Sequence, residues 1–496
     1  MEQVIQTLGR LIETLPEARL SGPAETPVAG LAYDSRKVQK GFLFIAIRGE
    51  VTDGNLFVEP ALRAGAAAVV SERPVPAAFS GPWVQVADAR QALASISIRF
   101  FGDPSGRLQL AGVTGTKGKT TTSYLIDSVF RAAGDTSCMM GTVEYRMGSR
   151  SWQAERTTPE AGDIQEMLQR ALREGCTRAV MEVSSHSLVL HRVRGMAFHT
   201  ACFTNLSRDH LDFHGDMESY FRAKSMLFEG GEIRGPERAV CNLDDPWGER
   251  LSREISGPRL TFGTRPEADV RPRQLPERMD SLAFEACTPK GSLEVRSALA
   301  GAGNLSNILA AIAVCQSMDL SAEAIQQGIS GLRGVPGRLE LIRCGQPFTV
   351  IVDYAHTEAA LDNLLRLAQG LHPPGIITVV GCGGNRDRTK RPGMGRIAAA
   401  GSRLLIVTSD NPRQEDPVRI AEEIEAGLGG IDVEYRRQLD RRRAMAEAFQ
   451  AARPGEVVLI AGKGHETYQE FAGGKVAFDD RQVARELLEE MRKGSG

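Results

Sequence analysis

The sequence predicts an α/β protein of three domains, on three observations. At 496 residues the chain is too long for one ordinary core, given roughly 150 residues per domain. Short runs of consecutive apolar residues, as in strands covered on both faces, alternate with stretches of helical periodicity from residue 108 onward. A turn-rich break, Phe101-Gly102-Asp103-Pro104-Ser105-Gly106, and a second, Gly334-Val335-Pro336-Gly337, punctuate that pattern. The expected domains are therefore 1–103, 104–335 and 336–496.

The opening residues 1–15 mix Glu2, Arg10 and Glu13 among apolar side chains, which predicts a short amphipathic helix and lacks the uninterrupted apolar centre of a signal peptide. The runs Gly41-Phe42-Leu43-Phe44-Ile45-Ala46-Ile47 and Ala66-Ala67-Ala68-Val69-Val70, separated by glycine turns and one helical stretch, predict a small α/β domain. The second domain opens with a strand over 108–113, a glycine loop and a helix over 121–133. Buried strands over 179–183 and 200–204, with a helix over 164–172 before them, continue it as a doubly wound parallel sheet. Residues 235–296, rich in proline, charge and short alternating strands, suggest scaffold and no chemistry. In the third domain a strand over 348–352, a helix over 358–368 and strands at Ile376–Val380, Leu404–Val407 and Val457–Ala461 predict a Rossmann-like sheet.

Composition narrows the function classes. Hydrophobic residues at 42%, charged residues at 25% and 52 glycines describe a globular chain with many loops and no bilayer-spanning run. Eight cysteines without a C-x-x-C pair read as reduced core residues of a cytoplasmic protein. Sixty basic against 62 acidic residues, net −2, give no global field for nucleic acid or an anionic membrane. An anionic ligand must be held locally.

The strongest local signal is Val113-Thr114-Gly115-Thr116-Lys117-Gly118-Lys119-Thr120-Thr121, between a buried strand and a helix rich in hydroxyls. Glycines let backbone N–H groups face phosphate oxygens, a helix N-terminus adds positive potential, Lys119 neutralises charge and the hydroxyl of Thr120 or Thr121 can ligate Mg²⁺. These parts suit ATP, although Val113 stands where the Walker pattern has glycine. Three more polar clusters sit at or near predicted strand ends, where open α/β sheets bind ligands: Glu182-Val183-Ser184-Ser185-His186, Thr204-Asn205-Leu206-Ser207-Arg208-Asp209-His210-Leu211-Asp212 and Asp353-Tyr354-Ala355-His356. The first two offer a carboxylate and an imidazole for the metal. Singly, such histidines and acids are as often structural; together with a phosphate loop they point to a nucleotide and metal sharing a crevice.

The phosphate loop and the Glu182 and Asn205 clusters resemble the signatures of the Mur ligase family. The resemblance spans the second and third domains. Gly303-Asn304-Leu305-Ser306-Asn307 is similar to the family's adenine-side asparagine motif, giving Asn304 and Asn307. Pro336-Gly337-Arg338-Leu339-Glu340 is similar to its linker arginine and Asp353 to its ribose-side aspartate. Thr408-Ser409-Asp410-Asn411-Pro412-Arg413 and Gly462-Lys463-Gly464-His465-Glu466 resemble the tripeptide-synthetase branch, the MurE type.

The remaining roles are what this resemblance implies. Lys224, which alone reads as a snorkelling surface lysine, matches a lysine that is carbamylated to hold a second Mg²⁺. Arg413, on a loop after Pro412, can fork onto a carboxylate. With Arg386, Asp410, Asn411, Gly462 and Glu466, the last available for an ammonium, it forms a site for meso-diaminopimelate, with L-lysine open. The N-terminal domain would bind the UDP-sugar through Tyr33-Asp34-Ser35-Arg36 and Gly49-Glu50-Val51-Thr52-Asp53-Gly54, Tyr33 and Ser35 being its site residues. Thr157, Thr158, Ser184, Leu190 and Arg192 line the same substrate in relatives. The sequence departs from the family at Leu190, where some relatives have glutamine, at Lys117, where asparagine is usual, and at Glu358, where proline is common.

The expected reaction is ATP-dependent: the terminal carboxylate of UDP-MurNAc-L-Ala-D-Glu takes the γ-phosphoryl group, and the amine of a diamino acid then displaces phosphate. Lys119, Glu182, His210 and Lys224 are the expected catalytic residues, ATP and Mg²⁺ the cofactors, and a monomer with no nucleic-acid or membrane partner the expected state. Closure about Arg338 would exclude water. A folylpolyglutamate-type ligase should lack the front domain and the Asp-Asn-Pro-Arg loop, and a non-catalytic nucleotide sensor should have lost Lys119, Glu182, His210 or Lys224.

Overall fold

A computed structural model describes residues 5–15, 17–49, 52–77, 79–276 and 281–494. The chain divides into two compact units, one made of 1–275, 284–295 and 306–331, the other of 276–283, 296–305 and 332–496. Within them lie three principal sheets.

The first sheet has five strands in the order Arg19–Ser21, Trp83–Gln85, Ala68–Ser71, Phe42–Ile45, Gly30–Ala32, parallel except for its first strand. Leu43, Ile45, Ala68, Val70 and Val84 are fully buried on one face beneath the helix Ala89–Phe101. That helix starts where Asp88 accepts from the amides of Arg90 and Gln91 and ends at Gly102 in the left-handed conformation.

The start of the chain departs from expectation. In place of one amphipathic helix, Gln6–Thr7 is a short strand paired with Pro27–Val28, and the helix is only Leu8–Ile12. Pairing to a distant strand overrode local periodicity. Glu2 of that expected helix, like Glu50 and Val51 of the glycine-rich segment, lies outside the described residues.

The second sheet has eight strands, ordered Arg150–Gln153, Glu144–Met147, Ser137–Met140, Arg178–Glu182, Gln109–Thr114, Thr200–Phe203, Arg238–Asn242, Arg259–Phe262. Six are parallel, and the first two form an antiparallel hairpin at one edge. Its parallel strands are apolar along their length because helices cover both faces. Ala161–Arg173 and Met217–Glu229 lie over one face through Ile164, Leu168, Tyr220, Phe221 and Leu227, each such buried side chain contributing about 1.5–3 kcal/mol. Residues 235–296, expected as scaffold, supply its last two strands and the alternating strands Leu282–Thr288 and Gly291–Ser297. The phosphate-loop helix, Lys119–Ala132, packs so closely on Ala322–Gly331 that a Cβ at Gly328 would lie 2.4 Å from the Cα of Val129.

The third sheet has six strands, ordered Glu340–Ile342, Thr349–Asp353, Val457–Ala461, Ile376–Val380, Leu404–Val407, Glu434–Arg437, parallel apart from the first. One core under Glu358–Gln369, Lys390–Gly401 and Pro417–Glu425 covers one face, and a second under Arg441–Ala451 and Asp480–Gly494 the other. Of the four strands read from sequence in this domain, Ile376–Val380, Leu404–Val407 and Val457–Ala461 have the bounds expected, while the first, expected over 348–352, is Thr349–Asp353. All eight cysteines are free, with Cys287 and Cys344 half-buried and the rest buried.

Candidate active site

In the eight-stranded sheet the strand that ends at Thr114 lies between those ending at Glu182 and Phe203. The phosphate loop and two of the predicted clusters thus emerge from the carboxyl ends of three adjacent strands, at the point where strand order reverses. Gly115 (φ +142) and Gly118 (φ +87) have conformations that L side chains rarely adopt. Neither has room for one: a Cβ would fall 1.9 Å from Thr204 Oγ1 or 2.4 Å from Asn307 Oδ1 respectively.

The loop is fastened to the Thr204 cluster. Thr116 N donates to Asn205 O (2.9 Å), Lys117 N to Asn205 Oδ1 (2.9 Å), and Asn205 Nδ2 to Lys117 O (3.0 Å). Thr204 Oγ1 donates to Lys117 O at 2.6 Å, and Thr116 Oγ1 lies 3.2 Å from the Tyr220 hydroxyl. Two loop amides expected to face phosphate are therefore held by Asn205, which leaves that task to the first turn of the helix from Gly118 onward.

Two lysine nitrogens converge on one oxygen. Lys119 Nζ and Lys224 Nζ each donate to Gly115 O at 2.8 Å, and Lys119 also reaches Thr116 O at 3.1 Å. Lys224 is 1% exposed, on the inner face of Met217–Glu229 and 4.6 Å from the centre of the Tyr220 ring. Burial, and next the Lys119 charge, push it well below the usual lysine range. It is not a surface lysine.

Glu182, 1% exposed, is held by hydroxyls and an amide: Thr142 N donates to Oε1 (2.7 Å), Thr142 Oγ1 (2.9 Å) and Thr120 Oγ1 (3.1 Å) to Oε2. His210, in the left-handed conformation (φ 52), stands 4.9 Å ring to ring from His186, which lies 5.6 Å from His214. Burial first, then the charges of His186, Lys119 and Lys224, lower His210 to about 4; it is neutral at physiological pH and able to ligate a metal. Among the described residues no three His, Cys, Asp or Glu side chains form a metal cage. One buried carboxylate, neighbouring hydroxyls and a neutral imidazole instead fit Mg²⁺, which commonly takes one or two carboxylates and completes its shell with water and phosphate oxygens.

The residues expected to line the UDP-substrate form a polar path from Glu182. Thr158 Oγ1 donates to Glu182 O (2.8 Å) and Ser184 N donates to Thr158 Oγ1 (3.1 Å), while Thr157 Oγ1 lies 3.1 Å from Thr142 Oγ1. Arg192 donates to Thr158 O (3.1 Å) and pairs with Glu160 (3.0 Å), which also faces Arg156 and, at 3.7 Å, Arg90. Tyr33 donates to Asp163 (2.5 Å), one turn further along. Ser35 opens a 3-10 turn whose preceding Asp34 accepts from Arg36 N (3.0 Å). Leu190, half-buried, ends the short helix Ser185–Val189 and adds no polar group.

Asn307 Oδ1 lies 3.5 Å from Thr122 Oγ1. Asn304, one turn earlier on the helix Ala302–Ser317, donates to Ala300 O at 2.8 Å.

In the six-stranded sheet, Asp353, the loop from Gly462, the loop from Gly381 and the loop from Thr408 follow four adjacent strands. Asp353 Oδ2 accepts from Leu339 N (2.8 Å), Arg338 lies 4.8 Å over the Tyr354 ring, and a Cβ on Gly337 would meet His465 N at 2.0 Å. Arg413, with φ 53, pairs with Glu470 (3.0 Å) and donates to Gly384 O (2.8 Å). Arg413 and the exposed Arg386 both flank Gly383, and Gly384 packs on Pro412 O. A Cβ on Gly462 would lie 2.6 Å from the buried Asp410. Glu466, expected to be available for an ammonium, already accepts on Oε2 from Lys463 (2.9 Å) and Asn411 (2.7 Å).

Thr142, Asn205, Tyr220, Glu160 and Lys463 were not singled out as site residues from sequence. Lys463 carried a signal, lying between Gly462 and Glu466, as did Glu160, two residues after Thr158; Thr142, distant in sequence from any motif, carried none.

Three family models match the chain: the Mur ligase family catalytic domain over residues 27–101, the Mur ligase middle domain over 113–315, and the Mur ligase glutamate ligase domain over 337–464. A Solibacter usitatus protein named UDP-N-acetylmuramoyl-L-alanyl-D-glutamate–2,6-diaminopimelate ligase is 49% identical over 483 residues, 97% of this chain and 98% of that one. A Geobacillus thermodenitrificans protein of the same name is 41% identical over 489 residues, 98% and 100% of the two chains. A solved structure of a ligase of that name superposes with a TM-score of 0.68 at 33% identity, over 98% of this chain and 99% of the other.

Proposed function

The chain belongs to the Mur ligase family, and from that premise we propose that it is the ATP-dependent ligase joining 2,6-diaminopimelate, in its meso form, to UDP-MurNAc-L-Ala-D-Glu. The observation that carries the chemistry is the Lys119 ammonium on Gly115 O, an oxygen shared with Lys224 Nζ, beside the Thr120–Glu182 hydrogen bond. A cation already held at a helix N-terminus favours the charge that grows on a transferred phosphoryl group.

The terminal carboxylate of the D-Glu residue attacks the γ-phosphorus, the bond to the β-phosphate oxygen breaks, and ADP leaves with that electron pair. The diamino acid's neutral amine then attacks the acyl carbon, phosphate departs, and the amine's proton is lost to solvent. Lys119 follows the phosphoryl oxygens and the amides from Gly118 onward hold the phosphates in line. Mg²⁺ would be held by Thr120 or Thr121, Glu182 and His210, where it supplies positive charge to the β- and γ-phosphate oxygens. Thr142 keeps the Glu182 carboxylate oriented. Lys224, driven towards its neutral amine, is the form that adds CO₂, releasing a proton and giving a carbamate anion able to hold a second metal. Asn304, Asn307, Arg338 and Asp353 serve the nucleoside, Tyr33, Ser35, Thr157, Thr158, Ser184 and Arg192 the UDP-substrate, with Leu190 as an apolar wall. Arg386, Asp410, Asn411, Pro412, Arg413, Gly462 and Glu466 serve the amino acid.

No helix of the described residues is long and apolar enough to cross a membrane; a UDP-linked substrate and ATP support work in the cytoplasm, and we expect a monomer. Phosphate release should require UDP-MurNAc-L-Ala-D-Glu and meso-diaminopimelate together. Release without an amino acid, or only with a pteroylglutamate, overturns the reading; equal use of L-lysine overturns its specificity.

A further inference from the structure

We propose that Lys463 is a positioning residue that makes the amino-acid site prefer a second carboxylate over a lone ammonium; the inference rests on the ligase reading above. Lys463 is 0% exposed although its motif places it at a loop. Its ammonium donates to Glu466 Oε2 (2.9 Å) and to Asn411 Oδ1 (3.1 Å). Asn411 Nδ2 donates to the same Glu466 oxygen (2.7 Å), and its Oδ1 also accepts from Glu470 N (3.0 Å). An ammonium has no acceptor, so Lys463 dictates that the Asn411 oxygen faces it and the Asn411 amide nitrogen faces Glu466.

The second consequence is charge. Glu466, the one carboxylate of the Gly462–Glu466 loop that could receive an incoming ammonium, is answered from within by Lys463, as Glu470 is answered by Arg413 (3.0 Å). Against the third acid of these loops, the buried Asp410, stands the exposed Arg386 beside Gly383, so the loops are balanced with Lys463 and net negative without it. An acceptor with an extra carboxylate gains from that balance, and one ending in a bare ammonium does not. Lys463 is fully buried, so solvent screens its charge weakly. It acts through Asn411 and Glu466.

The test compares kcat/KM for meso-diaminopimelate and L-lysine in the full chain, in Lys463→Met and in Glu466→Gln, with KM for ATP and the UDP-dipeptide alongside. Lys463→Met should shift the diaminopimelate-to-lysine ratio towards lysine by about tenfold or more, the effect of about 1.4 kcal/mol from one interior charge. Glu466→Gln should shift it the opposite way, and neither should move KM for ATP by more than about twofold. A merely structural role would weaken both amino acids equally, and an unmoved ratio in both variants overturns the inference. Melting curves report whether Lys463→Met folds; if it does not, the nearly isosteric Glu466→Gln decides alone by the direction of its shift. If the unaltered chain ligates neither amino acid, the ligase reading fails first.

Discussion

The phosphate loop of the eight-stranded sheet and the amino-acid loops of the six-stranded sheet both gather buried cations, in opposite ways. Around Gly115 the side-chain nitrogens of Lys119 and Lys224 donate to main-chain carbonyls, and burial with the Lys119 charge holds Lys224 below the usual lysine range. Under the amino-acid loops, cations meet carboxylates: Arg441 with Asp480 (2.7 Å), Arg391 with Glu415 (2.9 Å) and Glu423 (2.7 Å), Lys463 with Glu466 (2.9 Å) and Arg413 with Glu470 (3.0 Å). The phosphate loop thus offers lysine nitrogens and helix amides to a polyanion. The second is nearly neutral and suits a zwitterion, which must be told apart by where its charges lie. One site is built for affinity towards phosphate, the other for discrimination.

If that contrast is right, removing a cation should cost fold in one region and rate in the other. The largest effect is expected for Arg441→Met, which strands the fully buried Asp480 carboxylate and should lower unfolding free energy by about 3–5 kcal/mol in urea titration. Arg441 also holds Ser409 O (3.4 Å) and Ala461 O (3.0 Å), so surviving protein should bind the amino acid poorly. Lys119→Met should lower phosphate release by about 100- to 1,000-fold with little change in melting temperature; a large loss of stability there would erase the contrast. Arg413→Ala should raise KM for the diamino acid by about tenfold, roughly 1.4 kcal/mol, with KM for ATP unmoved.

The smallest effect concerns protons. Burial, then the charges of His186 and Lys224, lower His214 from 6.5 to about 4. A histidine held neutral by the fold contributes stability that is fully present above its unfolded value and is lost as pH falls. The His214 contribution to the melting temperature should therefore be flat above pH 6.5 and decline from there towards pH 4, and His214→Asn should remove that part of the decline. A rise on acidification would mean that the positive field at this site had been misjudged.

Much of this was legible in the chain. Glycine, lysine and threonine in the phosphate loop impose backbone and charge requirements that few alternatives meet, and the apolar runs Ile376–Val380, Leu404–Val407 and Val457–Ala461 gave exact strands because both their faces are covered. The helix after the loop begins at Lys119, two residues before the expected start, since Gly118 and not a hydroxyl residue occupies the cap. The Glu144–Met147 and Arg150–Gln153 hairpin escaped notice because an edge strand with one exposed side has a weak pattern. The N-terminal helix was over-read because Gln6–Thr7 pairs with a strand twenty residues away, a contact that periodicity cannot contain.

The sequence by itself determined the α/β class, the buried parallel strands around the phosphate loop and the residues with unusual chemistry, because those follow from local periodicity and from side-chain type. Only the tertiary structure decided that Lys224 is buried beside Lys119, that Thr142 holds Glu182 and that Lys463 already occupies Glu466. Each of these is a meeting of residues distant in sequence or of side chains turned inward. Their ionisation and orientation are set by what lies within a few ångströms, which the order of residues along the chain does not state.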